Sequence, residues 1–185
     1  MRFWRFSAAG LVLATVLALS IGSAHGQTTG LGPYYPIPSW DQKISPSTRF
    51  LVLSNWSGQA VLDRETGLVW ERSPSTAVFT WFDAQTHCNT LSKGTRKGWR
   101  LPTLQELASL VNPSIPPPGP VLPTGHPFRN VRAGWYWSAT SRARESSQDL
   151  AWTVFFVNGD MSGSSRGGTA MFAWCVRGGQ GVDPQ

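Results

Sequence analysis

The chain has 185 residues, of which 41% are hydrophobic, 12% aromatic and only 14% charged, and its formal net charge is +6. This describes one domain, and nineteen glycines with ten tryptophans argue against a helical bundle and for a loop-rich fold with an aromatic core. The modest positive charge suits a polyanionic partner but falls short of the dense basic surface that nucleic acid calls for.

Residues 1–26 read as a secretory signal. Arg2 and Arg5 make the positive start, Ala8 to Ile21 the apolar stretch, and Gly22, Ser23, Ala24, His25 and Gly26 offer cleavage after Ala24 or Gly26. The apolar run is short for a membrane span of about 20 residues, so no stable span is expected after cleavage. Loss of the two arginines lowers the net charge from +6 to +4. Export would place Cys88 and Cys175 in an oxidising compartment, where a single disulfide is expected. Two free thiols, or a metal pair with His87, are the alternatives, and one Cys-His neighbour pair is a weak metal signal. No metal and no cofactor are expected.

Residues 27–49 carry Pro33, Pro36, Pro38 and Pro46 and read as an extended Pro/Gly-containing segment. The domain proper is expected over residues 50–179, with a tail at 180–185. Phe50 to Leu53 predicts a first short strand. Ala60 to Glu71 predicts a β-hairpin, with Gly67 supplying positive φ at the turn. Asp63 and Thr66 are expected to brace that turn, Glu65 to be solvated, and Leu68 and Trp70 to share the buried face. Thr80 then caps a helix with Asp83 in its first turn. Trp81, Ala84, Cys88 and Leu91 fall on one face of it.

The loop that follows is basic, with Lys93, Arg96 and Lys97. It leads into Trp99-Arg100-Leu101-Pro102-Thr103, around which much of the chain is organised. Thr103 and Glu106 have the T-x-x-E spacing of a capping box, and Pro102 keeps a helix from running in from the N-terminal side. Arg100 is expected beside the core, its charge met by carbonyls or a carboxylate. Leu104, Leu107, Ala108 and Val111 give a helical face over residues 104–111. Residues 112–127 hold seven prolines and predict a long surface loop, in which His126 is structural. Strands are predicted at Trp135 to Thr140, Ala151 to Val157 and Ala170 to Val176. Asn158-Gly159 is read as a type I′ turn, and residues 162–168 as mobile.

Several stretches together resemble the bacterial Lcl C-terminal domain family. They are Asp63-x-x-Thr66-Gly67-Leu68-Val69-Trp70, Ala84-x-x-x-Cys88, Gly98-Trp99-Arg100-Leu101-Pro102-Thr103-x-x-Glu106-Leu107, Tyr136-Trp137-Ser138-x-Thr140, Ala151-Trp152 with Asn158-Gly159, and Cys175-Val176-Arg177. The resemblance covers roughly residues 57–178. It implies an α+β, C-type-lectin-like fold, with two helices packed on short antiparallel sheets, long loops, and a Cys88–Cys175 bridge. The adhesin that names the family is associated with sulfated glycosaminoglycans, but this chain has no collagen-like Gly-x-y repeat. Arg100-Leu101-Pro102-Thr103-x-x-Glu106 also resembles a segment of the formylglycine-generating enzymes; their reactive cysteines do not carry over if both cysteines form a bridge. Neither sugar-binding triplet of the calcium-dependent lectins occurs, although Asp149, Asn158 and Asp160 could offer oxygens to a cation.

The expected function is therefore a secreted, non-enzymatic binding module for an anionic or sulfated glycan at the cell envelope or surface. Lys93, Arg96, Lys97, Arg129, Arg132, Arg142 and Arg144 are its candidate ligand-binding residues. Trp99, Arg100, Pro102, Thr103 and Glu106 are its structural motif. The alternative is a protein-interaction or envelope-structural domain that docks an envelope protein through exposed tryptophans and tyrosines. An enzyme is disfavoured, because no nucleophile–base pair stands out and Ser138 has no glycine elbow.

Overall fold

The computed structural model describes residues 44–143 and 149–178; the leader, most of the proline-containing segment, Arg144 and the tail at 180–185 lie outside them. The described residues fall within one unit, Tyr35–Gln185. Pro46, with φ preset for a first helical position, opens a single turn, α1 (Pro46–Arg49), where the sequence suggests extended chain. The turn carries Arg49 inward. Its guanidinium donates to Asp63 Oδ1 at 2.8 Å, to Asp63 Oδ2 at 2.7 Å and to the Ser109 carbonyl at 3.0 Å. The strand β1 (Phe50–Val52) follows and pairs with β2 (Ala60–Asp63).

The expected hairpin joins β2 to β3 (Val69–Glu71). Asp63 Oδ1 accepts from the Glu65 N–H, Thr66 Oγ1 from the Leu68 N–H, and Gly67 has φ +72°. Glu65, expected in solvent, is buried, and its Oε2 accepts from the Ile44 N–H at 3.1 Å. The chain entering α1 folds back over the hairpin tip and covers it. Glu71 departs from the expected alternation in the same way: it is as buried as Trp70, because β3 is covered on both faces.

The second sheet has the order β4-β8-β5-β6-β7, built from β4 (Val78–Phe79), β5 (Trp135–Arg142), β6 (Leu150–Phe155), β7 (Met161–Ser165) and β8 (Met171–Phe172). Three of its four pairings are antiparallel, but β5 and β8 run parallel where they meet at Tyr136 and Phe172. The stretch read as mobile, residues 162–168, holds all but the first residue of β7, which pairs with β6 over five residues from Leu150↔Ser165 to Val154↔Met161. Small side chains there serve a close approach: a Cβ on Gly163 would sit 2.4 Å from Arg142 Cδ. The β6–β7 turn returns antiparallel as expected but is not a two-residue I′ turn. Only Gly159 has positive φ, and a longer loop is closed by the Phe155 N–H donating to Asp160 O at 2.7 Å and the Gly159 N–H donating to Phe155 O at 2.7 Å.

The helix α2 (Trp81–Thr90) is capped by Thr80, whose hydroxyl accepts from the Asp83 N–H, and it buries Trp81, Ala84 and Cys88. The helix α3 (Leu104–Ala108) is shorter than the pattern over residues 104–111 suggests. Beyond Ala108 the bonds tighten to i→i+3, as in Leu110 N–H to Leu107 O and Val111 N–H to Ala108 O, so Leu110 joins Leu107 inside. The proline-rich stretch has no regular structure, yet Val121, Leu122 and Pro123 are buried. It lies on the core rather than wholly at the surface.

The last predicted strand is divided. Met171 and Phe172 belong to the second sheet, whereas β9 (Val176–Arg177) completes the first in the order β1-β2-β3-β9. Along this crossing, Phe172, Trp174 and Val176 face one apolar cluster with Trp70, Tyr136 and Phe156. Ala173 and Cys175 face the other, with Trp56, Trp81, Trp99 and Trp137. Cys175 is bridged to Cys88 across 87 residues of sequence. Trp174 touches Phe128 at 4.9 Å and Trp70 at 5.7 Å between ring centres.

Replacing both cysteines by serine is expected to lower the unfolding free energy by about 4–5 kcal/mol, the entropy of closing a loop of this length in the unfolded chain. Urea titration of the oxidised protein against the double variant reads that difference.

Candidate functional site

The motif at residues 99–106 is a structural hub. Thr103 Oγ1 accepts from the Glu106 N–H, and Glu106 Oε2 accepts from the Thr103 N–H at 2.8 Å, which completes the capping box. The same carboxylate takes Arg100 in a two-pronged pair, both contacts at 2.7 Å. Arg100 also donates to the carbonyls of Leu101 and Gly178. Its backbone N–H and C=O each bond Val176 at 2.9 Å. Pro102 O receives the Ala139 N–H and Thr140 Oγ1 receives the Leu104 N–H, at a bulge in β5 between Trp137 and Ser141. Trp99 is buried edge-on to Trp56, its ring N–H donating to Arg96 O at 3.0 Å. This set holds α3, β5 and β9 together, as the sequence suggests for Arg100.

The candidate basic residues do not form one patch. Lys93 and Arg96 close a two-residue hairpin whose central Gly94 and Thr95 both have positive φ. Gly94 lies against Trp56, where a Cβ would come within 2.5 Å of Trp56 Cβ. Lys93 turns inward, 3.7 Å from Glu71 Oε1. Arg96 lies over the Trp56 ring at 5.8 Å, and Arg177 over the same ring at 5.5 Å. Arg177 Nε donates to the Lys97 carbonyl at 2.9 Å, and Arg96 and Lys97 are exposed. Arg129 and Arg132 are exposed in the loop before β5. Arg142 lies at the far end of that eight-residue strand, roughly 25 Å along, with its guanidinium over Trp152 at 4.8 Å. Arg144 lies outside the described residues. Arg96 and Arg177 thus share Trp56, Lys97 is tied to Arg177 through its carbonyl, and Arg142 stands over Trp152 at the far end of β5.

The three oxygens considered for a cation are also apart. Asp149 pairs with Arg166 at one end of β6, and Asn158 bonds Asp160 beyond the other. Among the described residues no tryptophan or tyrosine is exposed; Tyr34, Tyr35 and Trp40 lie outside them. His126 is structural as expected: its Nδ1 accepts from the Phe128 N–H.

A cleft of about 380 Å³ opens between β3 and α2, with Glu71, His87, Leu91, Lys93 and Asn130 in its wall. Glu71 Oε2 accepts from the Cys175 N–H at 3.1 Å, and its backbone carbonyl accepts from the Trp174 ring N–H. Burial pushes the Glu71 carboxyl up from 4.5 to about 7, against the lesser opposite pulls of the Cys175 bond and Lys93. His87 stacks on Phe79 at 4.7 Å, and its buried Nε2 has no hydrogen-bond partner. Burial, then the charge of Lys93, holds its pKa below 6.5. Sequence reading passes over Glu71, because strand alternation assigns it to the solvent face, and over Arg177 and Trp56, which meet only through the β9 crossing.

The model of the Lcl C-terminal domain family matches residues 59–177, nearly all of the described fold. No curated protein matches the chain.

Between pH 4.5 and about 7 the folded chain keeps a proton on Glu71 that the unfolded chain has released, so this group's contribution to stability falls as pH rises through that window. Glu71→Gln removes the effect. Denaturant titrations across the window should show the wild type losing up to about 3 kcal/mol relative to the variant.

Proposed function

The chain belongs to the Lcl C-terminal domain family, and from that premise we propose an exported, non-enzymatic binding module of C-type-lectin-like fold for anionic, in the first place sulfated, glycans. The two sheets, the bridge from α2 to the closing segment and the long loops between α3 and β5 support that fold. The periplasm, the cell surface or the medium is the place of action. The single observation that carries the reading is the pair of guanidiniums of Arg96 and Arg177 on one tryptophan, Trp56, with Arg177 also donating to the backbone carbonyl of Lys97, the residue after Arg96.

Three positive charges within one short span attract a polyanion. Stacking on Trp56 restricts both arginine side chains before a ligand arrives, so less freedom is lost on binding. Arg177 uses Nε on the Lys97 carbonyl, which leaves its two terminal nitrogens to grip a sulfate or carboxylate in the planar fork that arginine provides. Among the described residues, no carboxylate forms a salt bridge with Arg96, Lys97 or Arg177. The non-enzymatic reading rests on the joined cysteines, which removes the thiols that formylglycine-generating enzymes rely on.

Arg96→Ala, Lys97→Ala and Arg177→Ala should each weaken retention on immobilised heparin by about tenfold, from ~1.5 kcal/mol per charge-assisted contact. The loss should shrink as salt rises. Arg142→Ala, at the remote end of β5, should elute like the wild type. Unchanged elution of the triple variant would sink this face as the site and return the weight to a protein partner.

A further inference from the structure

The link between α2 and the closing segment is surrounded by metal-binding donors. One carboxylate oxygen of Glu71, one ring nitrogen of His87 and Sγ of Cys175 all lie within 4.8 Å of one another, and Cys88 Sγ is bonded to Cys175. We infer that the Cys88–Cys175 bridge has an alternative closed form, in which the reduced chain holds one zinc ion between Cys88, Cys175, His87 and Glu71.

Three features support it. The first is the donor set: two thiolates, an imidazole and a carboxylate are ligand types that zinc takes in tetrahedral sites. Glu71, His87 and Cys175, with donors no more than 4.8 Å apart, leave a shared centre at most about 2.8 Å from each, so they need to draw in by roughly 0.5–0.8 Å to reach zinc bond lengths, while Cys88 Sγ, freed from Cys175, swings apart from it to the fourth position. The second is the unpartnered, buried Nε2 of His87. Buried ring nitrogens normally have a partner; in the disulfide form this one has none, and zinc would supply it. The third is charge. Two thiolates and a carboxylate against a dication leave one negative charge, and the ammonium of Lys93, 3.7 Å from Glu71 Oε1, balances it. The cleft whose wall contains Glu71 and His87 gives the ion a way in.

The chemistry balances with a dithiol as reductant. It gives two electrons to the sulfur–sulfur bond and becomes a disulfide itself, while Cys88 and Cys175 each take up a proton. Zinc then displaces those two protons, and the proton of any neutral Glu71, to solvent as it forms bonds to both sulfurs, to the His87 nitrogen and to a Glu71 oxygen. The chain is closed across the same 87 residues in both forms, once by a covalent bond and once by a metal.

The test is titration of the oxidised and the reduced full chain with zinc alone, followed by calorimetry, with cobalt as a spectroscopic substitute and circular dichroism to monitor folding. The expected result is one zinc per reduced chain, none per oxidised chain, and thiolate-to-cobalt charge-transfer absorption only after reduction. His87→Ala, which keeps its disulfide and so remains folded when oxidised, should bind zinc on the order of tenfold or more weakly once reduced. If reduction unfolds the chain, zinc should restore the fold. A reduced chain that stays folded without taking up zinc, or that zinc fails to refold, overturns the inference. So does equal uptake by oxidised and reduced protein, or a His87→Ala variant with wild-type affinity. Heparin retention plays no part in this readout, so the two proposals stand or fall separately.

Discussion

The crossing of the closing segment from one sheet to the other is the constraint on which the remaining structure depends. Five residues, Phe172 to Val176, alternate between two apolar clusters and belong fully to neither sheet. Trp174 fills the first cluster and Cys175 locks the second through its bridge to α2. The backbone groups freed where the strand is interrupted are taken up by Glu71, whose own N–H donates to Cys175 O and whose carboxylate accepts the Cys175 N–H. A carboxylate in such a dry place is costly unless its bonds are met. This accounts for a proton affinity well above that of an ordinary glutamate. The packing and the unusual acid therefore have one cause.

The Arg100–Glu106 pair repeats that logic on the other side of β9. Glu106 caps α3, holds Arg100 and, through Arg100, fixes the chain that hydrogen-bonds Val176. Arg49 with Asp63 does the same for the first hairpin. Each buried arginine has its charge met by a carboxylate and at least one carbonyl, the condition under which an ion pair is tolerated away from water. Arg96 and Arg177 are held differently, over the ring of Trp56, while Arg129 and Arg132 lie in the loop before β5 and Arg142 at its far end.

Much of this was legible before any coordinates. The capping box, the hairpin with its Asp63 and Thr66 braces and the inward face of α2 all rest on local spacing, which sequence carries directly; the Cys88–Cys175 bridge, across 87 residues, follows instead from there being only two cysteines and from the family resemblance. The errors arise where distant chain decides the outcome. Glu65 and Glu71 look like solvent-facing acids until α1 and the closing segment cover them. Residues 162–168 look mobile because they are small, yet small residues are what the neighbouring Arg142 requires. The basic residues of the candidate list lie in separate loops of the sequence, and nothing local shows that Arg96 shares Trp56 with Arg177, an arginine about 80 positions further on. The family match lends the fold its name but says nothing about which cations converge.

The closing segment has a further consequence, in the order of synthesis. It is the last described part of the chain to be made, and it supplies the outer strand of one sheet, an inner strand of the other and the second cysteine. Val69 must wait for Arg177, more than a hundred residues later. A chain emerging N-terminus first can form its hairpin and helices early, but neither cluster closes until this segment arrives. Until then neither cluster is complete, so a chain still being made carries unburied apolar surface. The position of five residues sets how long that lasts.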